Sequence, residues 1–150
     1  MIIVEDIYIS KNSKSNKNCM NKKKCIIDKY NTVYGFNLFV ILNPDNSVID
    51  KRFAFRQDES SIYDGKWSKY TGYTVNGAYD KSTDEDCEII VINKLYNDDG
   101  DINTFAHESF HAAVDILESC DIKLSDDTNE VFAYLIGYFT ECVNKTAKKA

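Results

Sequence analysis

The stretch DINTFAHESFHAAVDILES, running from Asp101 to Ser119, is the one on which the reading of this chain turns. Phe105, Ala106, Phe110, Ala113, Val114 and Leu117 recur at three- and four-residue intervals, which predicts a helix over 102–119 with these residues on its core side. Asp98-Asp99-Gly100-Asp101 ahead of it forms a turn ending in an N-cap, with acids at the positive end of the helix dipole. That turn lacks the alternating ligands and distal glutamate of a calcium loop, so capping is its expected role. The chain has two histidines, and both lie in this helix as His107-Glu108-Ser109-Phe110-His111. Positions i and i+4 differ by about 40° in azimuth and about 6 Å in height, so the two imidazoles can share one ion. Glu108 projects about 100° away from His107, where it can serve a metal-bound water without becoming a ligand.

A catalytic zinc usually has three protein ligands plus water, and no histidine remains to be the third. Asp115 lies two turns beyond His107, about 12 Å along a straight helix, too far for one ion to bridge. Its expected role is surface polarity or a hydrogen bond to the His111 ring. Cys120 and Asp121, at the end of the helix, are farther still. Glu130 differs, because a turn of the chain between two helices can bring it back toward the histidines. Read alone, Glu130 also fits the third helical position of a capping box begun by Asp127.

His107-Glu108-Ser109-Phe110-His111, eighteen intervening residues, then Glu130 within Asn129-Glu130-Val131-Phe132-Ala133 resembles the gluzincin group of zinc metallopeptidases. The spacing and the Asn-Glu-x-Phe-Ala string are most similar to the M1 aminopeptidases, and the resemblance covers about residues 101–140. It implies zinc bound by His107, His111 and Glu130, with Glu108 as general base and Asn129 supporting the start of the second helix. The chain departs from the larger members in several ways. The catalytic tyrosine and the upstream exopeptidase motif of the M1 group are not found. Tyr134 fills the slot where thermolysin-like enzymes have a supporting aspartate, and their later histidine is missing. Small single-domain minigluzincins are the better comparison. A tyrosine from 63–79 is the expected oxyanion donor, and a substrate strand is expected along a sheet edge at Cys87–Ile92 or the strand before it.

The rest of the chain fits an α+β domain spanning 1–150, with strands first and helices last. Strands are expected at 1–9, 33–42, 47–56, 70–75 and 87–92. The second and third should form a hairpin around Asn43-Pro44-Asp45-Asn46, and the last carries the strongest strand signal. Residues 10–25 read as a mobile loop rich in lysine and asparagine. A second helix is expected over 128–144, apolar nearly all round, with Gly137 packed close to another backbone. Residues 145–150 read as a frayed basic tail.

At 150 residues the chain is large enough for a core without disulfides. Its five cysteines (Cys19, Cys25, Cys87, Cys120 and Cys142) suggest free thiols, and the start carries no secretory pattern, so a cytoplasmic location is expected. The net charge of −6 and the lack of any long apolar run argue against nucleic acid and membrane as partners. A peptide or protein substrate is the expected partner. The alternative is a catalytically inactive module that keeps the zinc site, or a metal-free interaction protein.

Overall fold

The computed structural model describes residues 23–63 and 66–150; the strand expected at 1–9 and most of the loop expected at 10–25 lie outside them. The expected α+β class holds. Five strands, β1 (Ile26–Asn31), β2 (Asn37–Leu42), β3 (Phe53–Phe55), β4 (Gly72–Asp80) and β5 (Glu85–Ile92), form one mixed sheet in the order β1-β2-β5-β4-β3. The β2–β5 pair is parallel and the other three are antiparallel. The helices are α1 (Asn46–Arg52), α2 (Asp99–Ser119) and α3 (Asn129–Ala147).

Burial follows from this order. Interior strand β2 is covered on both faces, and Leu38, Phe39, Val40, Ile41 and Leu42 form an unbroken apolar run, all buried. One face, carrying Tyr30, Leu38, Val40, Ile90 and Ile92, packs against α2 and α3 through Phe105, Ala113, Ile116, Leu117, Phe132, Phe139 and Val143. The opposite face, with Phe39, Ile41, Tyr73, Ile89 and Val91, is closed by Ile49 of α1 and by Phe53, Ile62 and Tyr63. None of the described helices is long and apolar enough to cross a membrane.

Several expectations need correction. The strand expected at 47–56 is α1 followed by the three-residue β3, so the expected hairpin does not form. Asp45 is the reason. Its Oδ1 accepts from the Ser47 backbone N–H at 3.0 Å and its carbonyl oxygen from Val48 and Ile49, which starts a helix at once. The partner of β2 is instead β1, whose six residues were not read as a strand. α2 starts earlier than expected. Asp98 is its N-cap, accepting from Gly100 N–H at 2.8 Å, while the buried Asp101 carboxylate accepts from the backbone of Tyr96 and Asn97 at 2.9 and 2.8 Å. Phe110 is not a core residue but 42% exposed, its ring against His111. α3 is not apolar all round either: Ala133, Tyr134, Gly137 and Tyr138 lie on an exposed flank, and a Cβ at Gly137 would meet nothing within 4 Å. The tail is tied down, since α3 runs to Ala147 and Lys149 Nζ donates to buried Asp28 at 2.8 Å.

Candidate functional site

Both histidines project from α2 into solvent, on the flank away from the core stripe of Phe105, Ala112, Ile116 and Leu117. Their Nε2 atoms are 3.1 Å apart, with the rings edge to face at 76°. Two imidazoles on one tetrahedral zinc, each bonded at 2.0–2.1 Å, hold their nitrogens about 3.3 Å apart. The pair therefore has close to the bite that a single zinc ion needs.

Glu108, one residue on, faces the sheet and is 7% exposed. Thr74 of β4 lies under it, with Oγ1 2.9 Å from both the Glu108 carbonyl oxygen and Oε2, so one hydroxyl proton serves two acceptors. Close approach makes this possible. At Gly72 a Cβ would sit 2.9 Å from Thr104 Cγ2, 3.1 Å from the Val91 carbonyl oxygen and 3.2 Å from Glu108 Cγ, so β4 admits α2 only because residue 72 is glycine. The carboxylate is thus fixed by the sheet while the imidazoles stand in the open.

Glu130 is not brought to this pair. It lies exposed in the first turn of α3, and among the described residues no group of three His, Cys, Asp or Glu side chains is arranged to hold a metal ion. α2 continues for eight residues past His111, about 12 Å, before the connector at 120–128 begins. The capping-box reading of Glu130 fails, because the N-cap is Thr128 and not Asp127. Thr128 instead ties the connector to itself, its Oγ1 accepting from Ser125 N–H at 2.9 Å and donating to the Lys123 carbonyl oxygen at 2.5 Å. Asn129 is exposed beside Glu130, and Tyr134 is 77% exposed on the solvent side of α3.

Of the tyrosines expected to supply an oxyanion donor, Tyr63 and Tyr73 are buried on the sheet face opposite α2, and Tyr79 is buried with Arg56 over its ring at 5.0 Å. Tyr70, just before β4, is 47% exposed. β5 lies between β2 and β4, so Cys87–Ile92 offers no edge for a substrate strand. Asp115 faces neither His111 nor open solvent alone: it is half-buried and lines a cavity with Glu88 of β5.

Sequence reasoning passed over Glu88, which is 4% exposed inside β5. Burial, with a smaller push from the charge of Asp115, raises its carboxyl to about 9. The available signal was a lone acid in Cys87-Glu88-Ile89-Ile90-Val91-Ile92, a run otherwise fit for a strand buried on both faces. Compared with family models, with curated proteins and with solved structures, the chain matches none.

Proposed function

We propose that this chain is a zinc-dependent hydrolase, most specifically a metallopeptidase, with His107 and His111 as zinc ligands and Glu108 as general base. The observation that carries the reading is the 3.1 Å separation of the two Nε2 atoms on one exposed helical flank, with a carboxylate on the next residue held by Thr74. The imidazole pair fits zinc, and Glu130 enters as third ligand on the strength of its spacing from His111 alone. Zinc held by these residues would supply an acidic bound water and a Lewis acid for a carbonyl oxygen. Glu108 takes the proton of the attacking water and returns it to the leaving amine. Thr74 keeps the Glu108 carboxylate from rotating away, leaving Oε1 for that work. Peptide or protein is the proposed substrate class, and neither nucleic acid nor membrane is proposed as a partner.

A second reading, a zinc-holding module without catalysis, is favoured by two observations: Glu130 stands outside the histidine pair, and Glu108 is buried against the sheet. Glu108→Ala separates the two. On a peptide library read by mass spectrometry, the wild type is expected to cleave, and the variant to bind zinc as before while losing at least about a hundredfold in rate. Equal inertness of both proteins overturns the peptidase and leaves the module.

A further inference from the structure

A cavity of about 430 Å³ opens between the C-terminal half of α2 and the bulge at Asn76-Gly77 in β4. Its lining is acidic, with Glu88 and Asp86 from β5 and Asp115 and Glu118 from α2, and among the described residues it includes no basic side chain. Asp86 already has a partner, Arg56 Nε at 2.8 Å. Glu88 differs: the residue is 4% exposed, lines the cavity, and among the described residues its Oε1 has no hydrogen-bond partner. A buried oxygen left without a partner costs about 1–3 kcal/mol, so a cavity-lining residue that keeps one is suited to receive a donor there. Phe36 and Ile116 add apolar wall beside the acids, which suits the methylenes of a long cationic side chain.

Position ties this cavity to the candidate active site. Asp115 follows Glu108 by seven residues, which puts it within about 20° of the same direction on α2 and about 10 Å farther along. Three residues of extended peptide cover that distance.

We propose that the cavity binds an ammonium or guanidinium group on an alkyl stem, the side chain of a lysine or arginine in the peptide substrate, with Glu88 and Asp115 as its partners. The assignment of that side chain to a substrate rests on the peptidase reading; the preference for a cation rests on the cavity alone. Glu88 holds its proton at neutral pH, so an arriving cation displaces it, and binding tightens as pH rises from 7 toward 9. The titratable groups around Glu88 are Asp86 and Cys87 on its own strand and Asp115 and Glu118 on α2; β4 and Phe36 contribute none. Burial pushes the Cys87 thiol upward, so it stays neutral through this range.

Calorimetric titration of the full chain with Nα-acetyl-lysinamide, and with uncharged Nα-acetyl-norleucinamide, reads the cavity without hydrolysis. The lysine probe is expected to bind at least tenfold tighter than the norleucine one. Glu88→Gln and Asp115→Asn should each remove at least tenfold of that binding, and His107→Ala should leave it unchanged. Equal binding of the two probes, no binding of either, or full binding by both acid variants overturns the proposal. Tighter binding of 1,5-diaminopentane than of the lysine probe overturns the peptide assignment in favour of a free amine. Lysine binding by a chain that cleaves no peptide leaves the cavity preference standing and removes the peptidase reading. Cleavage with no preference for lysine or arginine does the reverse.

Discussion

As the proposed general base, Glu108 has to meet two demands that ordinarily conflict. A general base has to reach a water, whereas a helical residue facing a sheet has to be hydrogen-bonded or neutral. Thr74 meets the second demand by donating to Oε2, at the level of one side chain. Thr74→Val, which keeps shape and removes the donor, is expected to cost roughly 1 kcal/mol in urea unfolding. Under the proposed hydrolysis it should lower kcat with KM little changed. Thr74→Ser should restore both. An unchanged kcat with only the stability loss would reduce Thr74 to a packing residue. The histidine pair and Glu108 were legible because their chemistry is local to five residues of one helix. Glu88 was not, because its burial depends on β5 lying between β2 and β4, an order that no short segment encodes.

At the scale of elements, two glycines make opposite predictions. Gly72 lies where β4 touches α2, and alanine there meets Thr104, the Val91 carbonyl oxygen and Glu108 at 2.9–3.2 Å. Gly72→Ala is expected to destabilise by about 1–3 kcal/mol and to lower hydrolysis by displacing Glu108. Gly137, in the exposed flank of α3, faces open space, and Gly137→Ala should stabilise by up to about 1 kcal/mol. Paired urea titrations check both signs; a neutral Gly72→Ala would mean that α2 and β4 have room to separate. Helix and strand periods revealed α2, α3, β4 and β5, and the terminal strand run was read within two residues. They failed at α1, where the capping of Ser47 by Asp45 outweighs the β-branched content of Val48 and Ile49. They failed again at β1, whose Asp28 and Lys29 hide the pattern. Asp28 is buried because Thr146 Oγ1 and Lys149 Nζ, 118 and 121 residues away, both donate to it at 2.8 Å.

Across the whole molecule, stability should report the buried acid. Glu88 holds its proton up to about 9 in the fold, while an unfolded glutamate releases it near the ordinary value of 4.5. Between these values the folded state binds the extra proton, so its contribution is whole below 4.5, fades as pH rises and is gone above 9. The slope is at most about 1.4 kcal/mol per pH unit. Urea midpoints at pH 6, 7 and 8 are expected to fall more steeply for the wild type than for Glu88→Gln; parallel lines would mean that Glu88 is ionised in the fold. The tie of β1 to the end of α3, in which Tyr30 donates to Thr146 at 2.9 Å and Thr146 to Asp28, closes the helix-covered face. Burial raises Tyr30 to about 12, so this tie holds its protons throughout that range. The α+β class was legible in the order of the elements, but the strand order was not, and neither was the place of α3 relative to the histidines. Both depend on how the connector at 120–128 and the parallel β2–β5 pairing set distant segments side by side. The central claim is that two imidazoles of α2 grip one zinc ion, and metal content tests it most directly. Dialysed against zinc, the wild type is expected to retain one ion per chain, and His107→Ala and His111→Ala each to lose it while unfolding at the urea midpoint of the metal-free wild type. Zinc retained equally by all three proteins, or by none, would contradict the account.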